Sequence, residues 1–418
     1  MKKIIIFFSL FVFSCSNKNT NLVDVKSFID QGQKVLLFDN NDMFKKNINK
    51  VQKVKISGNI LFNSWSHSGY NHSNNIPPSL INFNKKKTKN ISGKFLKIIS
   101  LNGKIITIDN KTNIQVFDKN FKKILSKKIY KRKIFKNINI KFEIAGKNNK
   151  IFVSDALGAI HCFDLDNLNL VWKQELSVPF KSNLKIYKNN LYVINSNSKI
   201  FSVNIYNGKI NWSFETASND IKTISSYQIS IYKDKLYFTN DIAEIYCLDL
   251  LKSNILWSLV FEAKNYLNKP IVFKSSPIIV SNNNLYVSTN YGFFYNIDPD
   301  KGFVKWSLPV QNINNFLVNK DLVFMVNKNR FSIINSLNGS IIYNAIIETN
   351  KKKLKFVFKD LLIAENNIIL FSRDGRIILV DNSNLSKTSL VDQFKNFKNY
   401  IVVSNNLYIL SKNSIIKY

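Results

Sequence analysis

Cysteine is scarce in this sequence, where only Cys15, Cys162 and Cys247 occur among 418 residues. Cys15 lies in the N-terminal leader, and the other two lie in repeats that are not neighbours along the chain. Thiols held apart in this way cannot form a disulfide. We therefore expect Cys162 and Cys247 to be buried free thiols, in a fold that does not depend on disulfides.

Histidine is equally scarce, with only His67, His72 and His161. A metal site needs several ligands within reach of one ion, and no cluster of cysteines or carboxylates accompanies these three residues in the sequence. We therefore predict no metal site and no bound cofactor. His67 and His72 lie in a polar segment, where we expect them to be solvated.

The apolar run at the N-terminus, residues 4–13, is too short to span a membrane. It follows Lys2 and Lys3 and is followed by Ser14 and Cys15, which together resemble a bacterial secretion signal with a lipobox. We predict a signal peptide at 1–14, lipidation of Cys15 and a tether over 15–58. Ser16 in place of an aspartate resembles sorting to the outer membrane, with the chain facing the periplasm. An ordinary signal peptide with an incidental Cys15 is the alternative.

Acidic residues are few: 27 Asp and Glu stand against 60 Lys and Arg, a formal net charge of +33. Such an excess is typical of proteins that bind nucleic acid, but an exported chain does not meet nucleic acid, and we predict no such partner. Basic residues concentrate at 122–123, 127–128 and 131–133. They form either solvated loops or a surface that faces anionic lipid or an acidic partner.

One layout recurs seven times along the chain. An Asp or Asn anchor is preceded by an apolar triplet that ends eleven residues earlier, and an aromatic residue follows eight residues later in five units. The anchors are Asp118, Asp164, Asn204, Asp249, Asp298, Asn335 and Asp381. The aromatic residues are Trp172, Trp212, Trp257, Trp306 and Tyr343, while Ser126 and Ser389 stand there in the first and last units.

The period of about 44 residues, the β-branched and aromatic composition and the alternation of period two predict one four-stranded propeller blade per unit. An eighth unit begins at residues 407–409, but the chain ends before its outer strand. We predict an all-β, eight-bladed propeller of antiparallel blades over 59–418. An N-terminal strand around Trp65, supplying the missing aromatic, would close the ring and leave no exposed sheet edge.

The repeated side chains are expected to be structural. The anchors resemble hairpin caps that accept N–H groups of the turn. The aromatic residues, with Trp65, are expected to dock each blade on the next. A ring of tryptophans that stacks a cofactor or a sugar is the alternative.

The unit from Leu191 through Asn204 and Gly208 to Trp212 resembles the repeat of quinoprotein-like, or PQQ-repeat, propellers. The repeat covers residues 100–418. With the lipobox and eight units, the chain is similar to the BamB family, lipoproteins of the outer-membrane β-barrel assembly machinery. The resemblance implies a non-enzymatic scaffold that binds BamA-like periplasmic domains of the barrel-forming subunit and assists insertion of unfolded outer-membrane proteins.

Two other classes remain open. A PQQ-dependent dehydrogenase shares the propeller but needs a Ca²⁺ cage of carboxylates, a general-base aspartate and usually adjacent cysteines. No Cys-Cys pair occurs, and Asn204 and Asn335 replace Asp in the repeat, so we predict that the chain is not an enzyme. An envelope lipoprotein that binds a glycan or another protein is the second alternative.

The resemblance also implies a partner site on loops around the third blade. The corresponding segments here are residues 178–182 and 218–220. The basic residue of the first loop is Lys181, which lacks the bidentate fork of an arginine. We predict that Phe180, as an exposed aromatic beside a cation, contacts the partner together with Lys181 and Asp220.

Overall fold

The computed structural model describes residues 44–81, 83, 89–130, 141–218, 226–262, 272–310, 313–347 and 357–418. The predicted signal peptide, Cys15 and Asp220 lie outside the described residues. In the described part of the chain, no helix is long and apolar enough to cross a membrane.

The described strands form eight antiparallel sheets, one for each blade. Two short strands precede the repeats, β1 (Ile48–Asn49) and β2 (Lys89–Ser92). Blade 1 contains β3 (Phe95–Leu101), β4 (Lys104–Asp109), β5 (Asn113–Phe117) and β6 (Lys123–Lys128), and blade 2 contains β7 (Phe142–Lys147), β8 (Lys150–Asp155), β9 (Ala159–Asp164) and β10 (Leu170–Glu175). Blade 3 contains β11 (Lys185–Tyr187), β12 (Asn190–Ile194), β13 (Lys199–Asn204) and β14 (Ile210–Glu215), and blade 4 contains β15 (Ile229–Tyr232), β16 (Lys235–Thr239), β17 (Glu244–Asp249) and β18 (Ile255–Val260).

Blades 5 to 8 follow the same pattern. They contain β19 (Ile279–Ser281), β20 (Asn284–Ser288), β21 (Phe294–Ile297), β22 (Val304–Leu308); β23 (Ile313–Asn319), β24 (Leu322–Asn327), β25 (Arg330–Asn335), β26 (Ile341–Ile346); β27 (Phe358–Ile363), β28 (Asn367–Ser372), β29 (Arg376–Asp381), β30 (Asn384–Gln393); and β31 (Phe397–Val403), β32 (Asn406–Ser411), β33 (Ser414–Lys417). The predicted eight-bladed propeller is therefore confirmed.

The repeat read from the sequence corresponds to fixed places in each blade. In blade 3 the apolar triplet lies in β12, Asn204 ends β13, and Trp212 lies in β14. All seven anchors accept a backbone N–H from the residue two positions later, as Asp164 does from Asp166 at 2.9 Å and Asn204 does from Tyr206 at 2.9 Å. The anchors are thus turn caps, and a neutral Asn does this as well as Asp because only an acceptor oxygen is needed.

An N-terminal strand closes the ring, as predicted, but it is β2 and not the segment around Trp65. β2 pairs with β33, with Ile91 opposite Ile415, and supplies the fourth strand of blade 8. The other N-terminal strand, β1, adds a fifth strand to blade 6 by pairing with β26. The expectation that Trp65 supplies the outer aromatic of blade 8 is wrong.

Trp65 belongs to a segment that we call the channel belt, residues 57–81. The Trp65 backbone exchanges two hydrogen bonds of 2.9 Å with Ser100 in blade 1. The buried Trp65 ring lies 5.8 Å from the ring of Tyr400 in blade 8. Trp65 therefore lies between blades 8 and 1, but on the inner side of the ring. Because its side chain is buried on the inner side, Trp65 cannot also contribute the aromatic residue of an outer strand.

The channel belt crosses the first strands of all eight blades. Its hydrogen bonds join, in order, Phe62 to blade 8, Trp65 to blade 1, Ser66 to blade 2, His67 to blade 3, His72, Ser73 and Asn74 to blade 4, Asn74 to blade 5, Asn75 to blade 6 and Ser79 to blade 7. The partners lie where each first strand runs into the second. The belt is thus an internal closure of the ring.

The hydrophobic core lies between neighbouring blades. Each buried cluster combines side chains from two or more adjacent blades, for example Ile114 and Val116 of blade 1 with Ile151 and Val153 of blade 2. The first strands of successive blades are neighbours from blade 8 through blade 1 to blade 7. Burial of one blade's face therefore depends on the next blade.

The repeated aromatic residues bridge these interfaces. The indole N–H of Trp172 donates to the carbonyl oxygen of Ile205 in the next blade at 3.1 Å, and Trp257 does the same to Pro299 at 3.0 Å. Trp306 donates to Ser336 and the Tyr343 hydroxyl to Leu385. In each of these four rings the N–H or O–H is satisfied while the ring packs against a neighbouring aromatic side chain.

Candidate partner-binding site

The loop that follows β10, residues 176–184, ties three blades together. The N–H of Phe180 donates to Asp155 of blade 2, and the N–H of Lys181 donates to Ile194 of blade 3 at 2.9 Å. The carbonyl oxygen of Lys181 accepts from the N–H of Tyr227, just before blade 4, at 3.2 Å. These bonds hold the loop at the start of β11, where its side chains are fixed relative to all three blades.

A cavity of about 280 Å³ opens beside this loop. Its wall comes from the beginning of β7, the end of β8, the loop at 179–182 and the segment before β15. Its lining includes Lys141, Glu143, Ser154, Phe180 and Lys181. The Ser154 side chain is buried, and its hydroxyl has no hydrogen-bond partner among the described residues. The candidate site is this cavity with its rim.

Phe180 is buried and not exposed as the sequence suggested. Its exposed fraction is 8%, and its ring packs at right angles to Phe201 with the centroids 6.5 Å apart. The expectation of an exposed aromatic is wrong because β12 and β13 of blade 3 supply an apolar wall against which the ring packs. Phe180 shapes the cavity from inside.

The rim of the cavity is basic. The Lys181 ammonium lies 5.9 Å from the centre of the Tyr227 ring, within the range of a cation–π contact, and Lys141 is exposed. The one carboxylate on the inner strands here, Glu143, is paired with Lys97 at 2.5 Å and accepts a hydrogen bond from Ser68. Among the residues that the structure describes at the rim, a negatively charged group would therefore meet lysines and not a competing free carboxylate.

Asp155 closes the floor of the cavity with a buried polar cluster. Its side chain accepts hydrogen bonds from Tyr130 at 2.5 Å and from the N–H groups of Leu157 and Ala159, with His161 at 3.3 Å. Burial raises the pKa of Asp155, but the hydrogen bonds from His161, Tyr130 and the two backbone N–H groups outweigh it, so the pKa is lowered. Asp155 is thus a satisfied carboxylate that caps the turn between β8 and β9.

Asp155 belongs to a second series of caps that the sequence analysis missed. Asp109, Asn195 and Asn240 accept turn N–H groups in the same way in blades 1, 3 and 4. Each of the four stands nine residues before an anchor. That spacing could have revealed the series, although Thr289, Val326 and Ser372 stand there in later blades.

The remaining candidate residues are placed as follows. Cys162 and Cys247 are buried free thiols, as predicted, and burial raises the pKa of each to about 12. His67 is buried in the channel belt, where its Nε2 accepts the N–H of Ile186 at 3.0 Å, so the expectation that it is solvated is wrong. Burial lowers the pKa of His67. No group of His, Cys, Asp and Glu able to hold a metal occurs among the described residues.

Comparison with known proteins adds the following. The sequence profile of a family described as PQQ_2, outer membrane protein assembly factor BamB, matches residues 102–345, more than half of the chain. No curated protein matches the chain by sequence.

Several solved structures share the fold. BamB from Moraxella catarrhalis is 13% identical, with a TM-score of 0.64 over 79% of this chain and 98% of that one. A europium-containing methanol dehydrogenase is 11% identical, with a TM-score of 0.65 over 83% and 89%. A quinohemoprotein alcohol dehydrogenase from Comamonas testosteroni is 9% identical, with a TM-score of 0.61 over 85% and 80%. At these identities the similarity shows the propeller and no more.

Proposed function

Because the chain belongs to the family of the outer membrane protein assembly factor BamB, we propose that it is a non-enzymatic scaffold lipoprotein of the outer-membrane β-barrel assembly machinery. In this role it binds the BamA-like periplasmic domains of the barrel-forming subunit and assists insertion of unfolded outer-membrane proteins. The family match over residues 102–345 carries the proposal.

The cavity between blades 2, 3 and 4 is the proposed contact with the barrel-forming subunit. Lys181 and Lys141 stand at its rim, and hydrogen bonds to three blades fix the loop that carries Lys181. A rigid loop loses little entropy when it binds. Asp220 remains part of the proposed contact, while Phe180 supports the loop from below.

We further propose that residues 1–14 are a signal peptide and that lipid at Cys15 holds the chain on the outer membrane, facing the periplasm. The tether then spans 15–58. Its last part, from Phe44 onward, packs on blades 6 and 7, since Asn344 donates to Phe44 and Val54 donates to Asn382. A single acyl chain binds a membrane only marginally, so a second contact through the barrel-forming subunit would stabilise the attachment.

The absence of enzymatic activity is part of the same proposal. The two carboxylates on the described first strands of the blades already have protein partners. Glu143 is paired with Lys97, and Asp360 accepts from Asn315 at 2.6 Å and from the N–H of Leu361 at 2.8 Å. A Ca²⁺ cage would need carboxylate oxygens to be available.

Crosslinking in intact cells, followed by identification of the attached protein, tests the proposal. We expect to recover a barrel-forming subunit with periplasmic domains of the BamA type, and the double variant Lys141→Glu, Lys181→Glu should reduce its recovery at least tenfold. Lys209→Glu is the matched control, because Lys209 is exposed at the opposite end of blade 3. Recovery of glycan alone would favour a glycan-binding propeller, and dehydrogenase activity with pyrroloquinoline quinone and Ca²⁺ would refute the scaffold.

A further inference from the structure

Positive charge is concentrated on two neighbouring blades. Blades 8 and 1, which comprise residues 395–418 and 89–130, contain 14 lysines and two acidic side chains. The described residues of the other six blades, between 141 and 393, contain 22 basic and 19 acidic side chains. A general excess of lysine would be spread evenly over the ring. The net charge of +33 is therefore not a uniform background.

The acidic side chains of these two blades are already used. Asp109 and Asp118 each accept N–H groups of their own turns. Among the lysines, Lys97 and Lys104 are ion-paired, and both of their partners belong to blade 2. Blades 8 and 1 thus supply little negative charge to balance their own lysines.

Five of the lysines meet where blade 8 adjoins blade 1, at the end of the ring that carries the anchor turns. We call them the outer basic patch: Lys89, Lys119, Lys122, Lys123 and Lys417. Lys89 lies directly opposite Lys417 in the pairing of β2 with β33, and the Lys417 ammonium donates to the carbonyl oxygen of Lys119 at 3.1 Å. Lys122 and Lys123 follow in the turn that enters β6.

The charges of the patch repel one another. Like charges directly opposite each other on neighbouring strands are destabilising. Burial lowers the pKa of Lys417, and the nearby ammonium groups of Lys119 and Lys89 lower it further. The other four lysines are exposed, and none of them is ion-paired with a described carboxylate. A layer of negative charge placed against the patch would relieve this repulsion.

An apolar side chain stands beside these lysines. Ile124 of β6 directly follows Lys122 and Lys123, and its exposed fraction is 48%. Protein segments that lie on membranes combine basic residues, which meet anionic headgroups, with apolar side chains that enter the boundary of the acyl chains. Charge alone would suit any anion, and the exposed isoleucine favours a bilayer over a small soluble anion.

From the charge, the geometry and the exposed isoleucine we infer that the outer basic patch binds the surface of a bilayer that contains anionic lipid. Each lysine near such a surface strengthens binding about fivefold. The cavity beside Lys181 stays open, because it is lined from the beginning of β7, at the end of the ring opposite the anchor turns. The inference uses the proposed membrane attachment only to bring a bilayer within reach.

Sedimentation with sucrose-loaded vesicles tests this inference. The chain without the proposed signal peptide, residues 15–418, carries Cys15→Ser so that no lipid is attached. The vesicles consist of phosphatidylcholine alone or of phosphatidylcholine and phosphatidylglycerol, and salt is kept at about 0.1 M, where the Debye length is about 10 Å.

Two variants with the same net charge are compared. The patch variant neutralises the exposed lysines of the patch: Lys89→Gln, Lys119→Gln, Lys122→Gln and Lys123→Gln. The control variant neutralises four exposed lysines in turns at the same end of blades 3 to 6: Lys209→Gln, Lys252→Gln, Lys301→Gln and Lys320→Gln. A third variant, Ile124→Ser, leaves the charge unchanged.

We expect the chain with an unaltered patch to bind the anionic vesicles at least tenfold more tightly than the neutral ones. The patch variant should lose at least tenfold in binding to the anionic vesicles, and the control variant should stay within twofold. Ile124→Ser should weaken binding at least threefold, since its side chain no longer enters the bilayer. Equal losses in the patch and control variants would overturn the inference, because total charge would then drive binding. So would equal binding to both kinds of vesicle.

The vesicle test needs neither attached lipid nor the barrel-forming subunit, so its outcome is separate from that of the proposed function. If the vesicles bind as expected but crosslinking recovers no barrel-forming subunit, only the scaffold proposal fails. If the subunit is recovered but the patch variant binds vesicles as the control does, only the membrane inference fails. A patch variant that keeps vesicle binding but loses a crosslinked acidic protein would also overturn it, because that protein would then be the occupant.

Discussion

At the scale of single residues, the repeated tryptophans and glycines depend on each other. Gly208 has a φ of +73°, and a Cβ added to it would lie 2.6 Å from the Trp172 ring of the preceding blade. Blade 1 has Ser126 in place of the aromatic, and the corresponding turn residue of blade 2 is Leu168, which is buried at a φ of +58°. At these two interfaces a large side chain is present on one side only, so the space is filled either way.

This dependence predicts the effect of Gly208→Ala. The substitution combines a left-handed backbone with overpacking against Trp172, and we expect it to lower the free energy of unfolding by about 2–4 kcal/mol. Gly103→Ala is the control, since Gly103 has a φ of +71° with nothing within 4 Å of an added Cβ. It should cost about 1 kcal/mol. Urea denaturation of both variants measures the difference, and equal losses would show that Trp172 does not confine the turn.

A second residue-scale prediction concerns Asp360, a buried carboxylate on the first strand of blade 7. Burial raises its pKa to about 6, although the hydrogen bonds from Leu361 and Asn315 act in the opposite direction. Because the folded pKa lies above the unfolded value, the folded state holds the proton more tightly. Below about pH 4 Asp360 is protonated in both the folded and the unfolded state, and its full contribution to the free energy of unfolding is then present. This contribution is lost as the pH rises through about 6, because the buried carboxyl must then ionise.

Asp360→Asn should remove this pH dependence. At neutral pH we expect the variant to be more stable by about 3 kcal/mol, since one pKa unit corresponds to about 1.4 kcal/mol. Asparagine fits the place: Asn315 and Asn399 occupy it in blades 6 and 8 and accept the next N–H in the same way. Denaturation from pH 4 to 8 tests this, with Asp381→Asn as the control that should bring no gain. A variant that parallels the unaltered protein across this range would contradict the prediction.

At the scale of elements, the channel belt joins neighbouring blades by hydrogen bonds at the inner side of the ring. Asn75 shows how: its side chain accepts the N–H of Val318 at 3.2 Å and donates to the carbonyl oxygen of the same residue at 3.1 Å. One amide thus imitates a strand partner for blade 6. Because other residues of the belt bond the other blades, mostly through backbone groups, we expect the loss of one contact to weaken the closure of the others.

Asn75→Ala tests this contribution. It leaves the N–H and C=O of Val318 without the Asn75 amide, and we expect a loss of about 1–3 kcal/mol in the free energy of unfolding. Asn211→Ala is the control, because Asn211 is exposed on β14 and its side chain bonds only Asn190 among the described residues. It should change stability by less than about 0.5 kcal/mol. If both variants unfold alike in urea, the belt does not hold blade 6.

The elements also show what the sequence could predict. The second, third and fourth strands of a blade have fixed spacing, so seven repeats sufficed to predict the propeller and the capping role of residues such as Asn204. The belt contains no repeat, and its partners lie up to several hundred residues away, as Asn75 and Val318 do. For the same reason Trp65 suggested an outer strand, and Phe180 suggested an exposed side chain. Burial there depends on contacts between blades that no local pattern records.

At the scale of the whole molecule, the ring separates the first described residues of the N-terminal segment from the candidate cavity. The described part of the N-terminal segment begins at Phe44, on the outer edge of blade 6. The cavity beside Lys181 lies at blades 2, 3 and 4. In a ring of eight blades, blade 2 stands opposite blade 6, so a tether and a partner at these places do not compete for the same surface.

This separation predicts how a bulky group at the N-terminus behaves. Replacing residues 1–43 with a folded soluble domain joined by a flexible linker should leave binding of the purified barrel-forming subunit within twofold, because the added domain emerges on the far side of the ring. In the same fusion, Lys141→Glu with Lys181→Glu should weaken binding at least tenfold, since both lysines stand at the rim of the cavity. Surface plasmon resonance with the immobilised periplasmic domains measures both. A fusion that blocks binding as strongly as the lysine variant would place the partner at blade 6, against the assignment to blades 2, 3 and 4.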